Sequence, residues 1–314
     1  MSILLIPIFI FDSFRNMSKT LKAHLSLFAV ALIYGANYSI AKIVLDDHYL
    51  QPISFITLRI CAAAILFTLF HQIWIKEKVE RKDFPLLILC SLFGAVFNQL
   101  FFFLGLKETS PINASLIMTT TPILILIISA ILIREKVTWS KVVGIILGGI
   151  GATIIISAGK EVSFTSNQAL GNLYIFVNAS SYGIYLVLIK RLMDRYHPIT
   201  LIRWIFTIGA IIILPFGIPY LNNTEWHTFS PLVIGSVIYV LLFTTFFTYL
   251  LNGLALRELP ASIVGIYIYL QPLIATIIAL IIGNDQLNAL KILAGILIFT
   301  GVFLVSQPIK TTRN

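Results

Sequence analysis

Residues 97–151 recur, without a gap, as residues 247–301 of the same chain. The offset of 150 aligns residue types that rarely match by chance in an apolar sequence, namely Glu108 with Glu258, Pro122 with Pro272, Lys141 with Lys291 and Gly151 with Gly301. Each copy places a proline inside an apolar stretch, where proline removes a helix hydrogen bond. The chain must therefore build the same interrupted helical unit twice.

The composition indicates where these units fold. The chain of 314 residues is 58% hydrophobic and 11% charged, whereas soluble domains are about 45–50% apolar and about 25% charged. Apolar stretches of roughly 20 residues, each long enough to cross a bilayer as a helix, cover residues 23–44, 52–73, 84–104, 111–133, 139–157, 169–189, 198–218, 231–251, 260–282 and 289–306. The predicted fold class is an all-α integral membrane protein with ten transmembrane helices.

The net charge of +9 would suggest a nucleic-acid partner in a soluble protein, but in a membrane protein it marks cytoplasmic loops. Sixteen lysines and arginines fall in segments that alternate with segments holding only Lys107, Lys160 and Lys291. This asymmetry predicts that both termini are cytoplasmic and that the number of spans is even. We expect a multi-pass protein of the cell inner membrane, in contact with lipid and with no nucleic-acid partner.

The ten predicted helices divide into two units of five. Because five is odd, the second unit must be inverted relative to the first. The charges agree, since the Lys107-Glu108 loop is predicted outside and its counterpart Arg257-Glu258 inside. We predict an N-terminal extension or tail over residues 1–20, a first five-helix repeat over 21–158 and a second over 168–308. A substrate site between such repeats is typical of secondary transporters.

Several motifs together resemble the EamA branch of the drug/metabolite transporter superfamily. They are Tyr34-Gly35-Ala36-Asn37-Tyr38, similar to the aromatic-Gly-small-Asn-aromatic signature of its first helix; Pro52 followed by Arg59, similar to its second; and the run from Gly105 through Pro122 and Glu135 to Gly151, repeated at 255–301. The second half departs from the family pattern at Asn284-Asp285, where Gly-Glu is usual. The resemblance implies a ten-helix carrier of small metabolites, often an exporter, with helices five and ten at the periphery.

Polar side chains inside the apolar stretches are candidates for the substrate site, because burying an amide without a partner costs roughly 2–7 kcal/mol. On the sixth helix, Asn178, Tyr182 and Tyr185 lie at i, i+4 and i+7 and share one face. The predicted substrate-binding residues are Asn37, Tyr38, Asn98, Gln99, Thr121, Asn178, Tyr182, Tyr185, Tyr249, Tyr269 and Gln271. For any single amide, a hydrogen bond between helices is the alternative.

The two repeated prolines, Pro122 and Pro272, fall near the centres of their stretches. Each frees the carbonyl four residues back, at Met118 and Ile268, which must face a protein group or a wet cavity. The kinks either border the substrate site or are structural bends packed by neighbouring hydroxyls.

Charges within the stretches are few. No Asp or Glu lies deep in any of them, so carboxylate-based proton coupling is not expected. Arg59 lies about 10 Å into the second helix at 1.5 Å per residue. We expect its side chain to extend to the outer surface. The alternative is that it pairs with a substrate anion or with buried carbonyls. Arg203 and Lys42 are expected to reach the nearest membrane surface.

Enzyme chemistry finds no support in the sequence. It contains no clustered metal ligands, no nucleophile elbow and no phosphate-binding loop, so no catalytic residue, metal or cofactor is predicted.

Gly144-x-x-x-Gly148 favours close helix packing. The predicted function is secondary transport, by alternating access, of a small polar, amino acid-like metabolite across the cytoplasmic membrane. The alternatives are a proton-coupled exporter of lipophilic or toxic compounds and a membrane-embedded scaffold or enzyme subunit.

Overall fold

A computed structural model describes residues 18–46, 49–109, 111–157, 169–282 and 288–307. Within these ranges the chain is helical and contains no strand. Eight helical stretches are long and apolar enough to cross a membrane, and a shorter apolar helix covers Trp139–Ile154. The predicted all-helical fold is therefore confirmed for the described residues, and the eight apolar stretches are candidate membrane spans.

The helices fall into two matching sets of seven, so that α1–α7 of the first half correspond in order to α8–α14 of the second. The first set is α1 (Lys19–Asp46), α2 (Pro52–Trp74), α3 (Phe84–Ser91), α4 (Asn98–Glu108), α5 (Pro111–Met118), α6 (Thr121–Leu132) and α7 (Trp139–Ser157). The second set is α8 (Ala169–Met193), α9 (Pro198–Asn222), α10 (Pro231–Leu241), α11 (Thr248–Glu258), α12 (Ala261–Ile266), α13 (Leu270–Ile282) and α14 (Ala289–Ser306).

Two π-helical segments interrupt these helices at equivalent places. Leu92–Phe97 joins α3 to α4, and Leu242–Phe247 joins α10 to α11. A π-turn inserts an extra residue into the helical register, and such bulges are frequent at functional sites. The residues that follow each π segment are polar, Asn98 and Gln99 in one half and Thr248 and Tyr249 in the other.

The helices that carry the repeated prolines are interrupted as well. Helix α5 ends at Met118 and α6 begins at Thr121, next to Pro122. The Thr119 and Thr120 side chains donate hydrogen bonds to the carbonyls of Leu116 and Ile117 at 2.6 and 2.7 Å. In the second half a 3₁₀ turn, Tyr267–Tyr269, separates α12 from α13, which carries Pro272.

The helix contacts between the two halves either join equivalent helices or come as equivalent pairs. Helix α7 packs on α14 and α2 on α9, while α4 packs on α8 as α11 packs on α1. Helices α7 and α14 approach each other closely, since a Cβ on Gly301 would lie 2.5 Å from the carbonyl oxygen of Gly144. The close packing predicted for Gly144-x-x-x-Gly148 is thus confirmed.

This approach makes Gly301 a sensitive position. Gly301→Ala is expected to lower the free energy of unfolding by about 1–3 kcal/mol, because the added methyl meets backbone atoms that cannot move alone. Chemical unfolding in detergent micelles would measure it. Gly235→Ala is the matched control, since a Cβ on Gly235 meets no atom within 4 Å and should leave stability unchanged or slightly raised. Equal destabilisation by both substitutions would contradict the packing described for α7 and α14.

The outer surface of the bundle is apolar. Its exposed side chains include Ile131, Trp139 and Ile281, with 72%, 81% and 80% of their surface accessible. A soluble monomer rarely exposes so much contiguous apolar surface. The surface therefore suits contact with lipid.

Candidate functional site

A cavity lies between the two halves. Its outline holds about 820 Å³ of space free of protein atoms, a volume that includes space open to solvent. Its described lining residues are Leu27, Val30, Ala31, Tyr34, Asn37, Arg59, Asn98, Gln99, Phe102, Met118, Asn178, Tyr182, Tyr249, Asn252, Val264, Tyr267, Ile268 and Gln271. Several come as pairs of equivalent residues, one from each half, such as Tyr34 with Tyr182 and Gln99 with Tyr249.

Most of the candidate substrate-binding residues lie at this cavity. Those that line it are Asn37, Asn98, Gln99, Asn178, Tyr182, Tyr249 and Gln271. Met118 and Ile268, whose carbonyls the repeated prolines were expected to free, line it too. Both helix interruptions therefore border the cavity, although Pro122 and Pro272 themselves do not line it. The side chain of Tyr38 lies outside the described residues.

Three candidates do not line the cavity and have other contacts. The Tyr185 ring packs on the π segment, where a Cβ on Gly94 would lie 2.3 Å from it. Thr121 is fully buried, with its hydroxyl 4.0 Å from the sulfur of Met118. The Tyr269 hydroxyl donates to the carbonyl of Thr119 at 3.0 Å, so it caps a backbone group at the Pro122 interruption.

Four polar lining residues were absent from the candidate set: Tyr34, Arg59, Asn252 and Tyr267. Tyr34 lies in the first-helix motif and is equivalent to Tyr182, so the internal repeat contained the signal for it. Asn252 follows Tyr249 by three residues and therefore shares its helix face.

Hydrogen bonds between the halves hold the polar lining in place. The Asn178 side chain donates to the carbonyl of Asn98 at 2.6 Å, and the Asn98 side chain donates back to the carbonyl of Asn178 at 3.4 Å. The Tyr249 hydroxyl donates to the carbonyl of Gly94 at 2.6 Å. Carbonyls at the first π segment and just after it thus find partners on the second half.

Several buried polar atoms of the lining have no partner among the described residues. They are Oδ1 of Asn37, Oδ1 of Asn178 and Oε1 of Gln99. The Gln99 amide lies beside the Tyr249 hydroxyl, which donates to the carbonyl of Gly94 and can accept a hydrogen bond from that amide. Buried polar groups in proteins are almost always hydrogen-bonded, so these atoms are suited to water or to a polar solute in the cavity.

Arg59 does not reach the outer surface, and the favoured expectation for it was wrong. Its side chain is 5% exposed, and Nε donates to the hydroxyl of Thr245 at 2.9 Å. The guanidinium lies 5.1 Å from the centre of the Phe103 ring. Thr245 belongs to the second π segment, so the second half draws the arginine inward. Arg203 contacts Nδ1 of His71 at 3.1 Å, and the Lys42 side chain lies outside the described residues.

Hydrogen bonds and an ion pair join the halves at one end of the bundle. Arg195 forms two bonds to the Asp83 carboxylate, at 2.7 and 2.9 Å, and the Tyr196 hydroxyl donates to it at 2.7 Å. The His197 backbone N–H donates to Glu77 at 2.9 Å. Burial lowers the pKa of His197, and the nearby Arg257 acts in the same direction, which favours the neutral imidazole. These polar contacts tie the two halves together at that end.

Within the described ranges, no group of three or more His, Cys, Asp or Glu side chains is arranged to hold a metal ion. The described cavity lining likewise contains no such residue. The chemistry that the described lining offers is neutral hydrogen bonding, aromatic contact and one guanidinium.

The profile of the EamA-like transporter family matches residues 21–157 and again residues 169–307. YyaM, an uncharacterized transporter of Bacillus subtilis (strain 168), is 26% identical over 298 residues, which are 94% of this chain and 97% of that protein. An uncharacterized transporter of Archaeoglobus fulgidus is 29% identical over 257 residues, 82% of this chain and 89% of that protein. A protein of Streptantibioticus cattleyicolor named a probable terminal-alkyne amino-acid exporter is 21% identical over 292 residues, 92% of this chain and 95% of that protein.

A solved crystal structure is similar over 92% of this chain and 99% of its own, with a TM-score of 0.75 and 17% identity. At this identity the similarity concerns the fold alone. The two profile matches fall on the two sets of equivalent helices, α1–α7 and α8–α14.

Proposed function

This chain belongs to the EamA-like transporter family, and from that we propose that it is a secondary transporter that moves a small polar, amino acid-like metabolite through the cavity between its halves. The observation that carries the proposal is the set of unpaired amide atoms on Asn37, Gln99 and Asn178 at the cavity between the halves. A lipophilic cargo would leave these groups unsatisfied, at a cost of roughly 1–3 kcal/mol each.

The proposed architecture is ten membrane-crossing helices in two inverted five-helix repeats, over residues 21–158 and 168–308. The contacts between the halves support it. A two-fold relation that places α1 on α8 and α4 on α11 makes the α4–α8 contact equivalent to the α11–α1 contact. The π segments at an offset of 150 residues support it as well. The distribution of positive charge favours both termini in the cytoplasm, within the cell inner membrane.

Alternating access is the proposed mechanism. In it, the halves move as units about the cavity, and the contacts of Asp83 with Arg195 and of Glu77 with His197 break when that end opens. The helix interruptions beside Met118 and Ile268 supply bends at cavity depth. We propose small-molecule substrate and membrane lipid as the partners, with no nucleic acid.

Among the relatives, the amino-acid exporter of Streptantibioticus cattleyicolor supports an amino acid-like cargo, since it aligns over 92% of this chain. No Asp or Glu occurs in the described cavity lining, which disfavours a carboxylate proton relay within the cavity. The proton-coupled exporter of lipophilic compounds therefore has less support than a carrier of polar solutes.

Flux into liposomes tests the proposal. Purified protein in proteoliposomes is expected to exchange at least one member of a panel of radiolabelled amino acids, and the same solute is expected to raise the melting temperature of the protein. Exchange of this solute should persist when a protonophore is added. If no amino acid is exchanged or stabilises the protein while a lipophilic cation is exported in a protonophore-sensitive way, the proposal is wrong.

A further inference from the structure

The described cavity lining contains a single cation, Arg59, and no carboxylate. The guanidinium has five N–H donors, and among the described residues only Nε has an acceptor, the hydroxyl of Thr245 at 2.9 Å. No ion pair of Arg59 occurs among the described residues. The charge is held by a neutral hydroxyl on one side and by the face of Phe103, at 5.1 Å, on another.

The described contacts of Arg59 do not include an anion to offset the cost of burying its charge. Moving a cation out of water costs several kcal/mol unless an anion with good geometry compensates it, and within the membrane a buried arginine is expected to have a partner. Thr245 is itself fully buried, and its hydroxyl donates to the carbonyl of Val240 at 2.8 Å. The only hydrogen-bond partner of the guanidinium among the described residues is therefore a neutral group that is also shielded from water. Four donors thus remain for a group that enters the cavity.

We propose that Arg59 binds the carboxylate of the transported solute, so that the substrate class is carboxylate-bearing and, among amino acid-like solutes, zwitterionic. The proposal rests on the proposed transport function and narrows its cargo. A planar guanidinium matches a carboxylate with two parallel hydrogen bonds. The solute thereby supplies the anion that the described lining lacks.

The remaining lining is suited to the other end of a zwitterion. Oδ1 of Asn37 and Oδ1 of Asn178 are unpaired acceptors, and an ammonium group has three donors and no acceptor. Tyr34, Tyr182 and Tyr267 add aromatic rings to the same cavity, and aromatic faces attract ammonium groups. With one cation and neutral acceptors, the described lining favours a solute with one carboxylate over a dianion.

The test compares amino acids with their carboxamides, which keep the side chain and ammonium but lose the anion. With wild-type protein, we expect the amino acids that raise the melting temperature to bind at least tenfold more tightly than the matching amides. Arg59→Gln should weaken amino-acid binding at least tenfold and abolish the preference over amides, while Arg59→Lys should retain part of it. Arg203→Gln is the control, because Arg203 contacts His71 and does not line the cavity.

The outcomes separate this inference from the proposed function. If wild-type protein binds and exchanges amides as tightly as acids, the carboxylate proposal is wrong while transport of polar solutes stands. If it exchanges neither class, the proposed function fails and takes this inference with it. If Arg59→Gln does not fold, the wild-type comparison and Arg59→Lys decide. Unchanged acid preference in a folded Arg59→Gln protein would also overturn the proposal.

Discussion

Lys141→Met is expected to lower the free energy of unfolding by about 3–5 kcal/mol, because it leaves a buried carboxylate without its cation. Lys141 Nζ lies 2.6 Å from Glu135, and the two side chains are only 3% and 9% exposed. Ser262 donates a hydrogen bond to the same carboxylate oxygen, and the other oxygen has no partner among the described residues. The pair thus joins the start of α7 to α12 in the other half. Urea unfolding in detergent micelles would measure the loss.

Two further variants make this prediction specific. Glu135→Leu combined with Lys141→Met should recover most of the lost stability, since removing both charges leaves nothing uncompensated. Lys82→Met breaks the ion pair with Glu80, whose side chains are 66% and 61% exposed, and should cause no measurable change. If Lys82→Met and Lys141→Met were equally mild, the Lys141–Glu135 pair would not contribute as its burial indicates.

Gln99→Leu is expected to weaken solute binding roughly ten- to hundredfold while leaving the protein as stable as wild type or more so. Its amide is 3% exposed and lines the cavity, and its Oε1 has no hydrogen-bond partner among the described residues. Removing a buried amide whose oxygen is unpaired relieves a desolvation cost of about 1–3 kcal/mol, whereas the solute loses a buried hydrogen bond of similar worth. Solute-dependent melting shifts and unfolding of the ligand-free protein would measure the two effects.

Ser54→Ala is the matched control for Gln99→Leu. Ser54 is fully buried, its hydroxyl is also unpaired among the described residues, and it does not line the cavity. The substitution should therefore preserve or raise stability without changing solute binding. A destabilised Gln99→Leu protein with normal binding would assign Gln99 a structural role, and an equal loss of binding in Ser54→Ala would show that the loss is not specific to the cavity lining.

The helical architecture and much of the cavity follow from the sequence because the membrane imposes strong rules. A backbone in hydrocarbon must satisfy its own hydrogen bonds, so apolar stretches become helices. Amides such as Asn37 and Asn178 are costly in these stretches and are found together at the cavity. The offset of 150 residues also predicts which helices are equivalent.

Other features escape the sequence because they depend on contacts between the halves. The π segments at Leu92–Phe97 and Leu242–Phe247 have no distinctive composition. Tyr185 shares a face with Tyr182 by spacing, yet the missing side chain of Gly94 leaves the space that its ring fills. Arg59 was expected at the surface, because nothing in its own helix shows that Thr245, 186 positions away, lies within hydrogen-bond distance.

The position of the transported solute tests the central claim most directly. A structure of the protein determined with the solute identified by liposome flux should show it in the cavity between the halves, with its polar groups within hydrogen-bond distance of Asn37, Gln99 or Asn178. A solute bound on another surface, with this cavity left to water or lipid, would contradict the account.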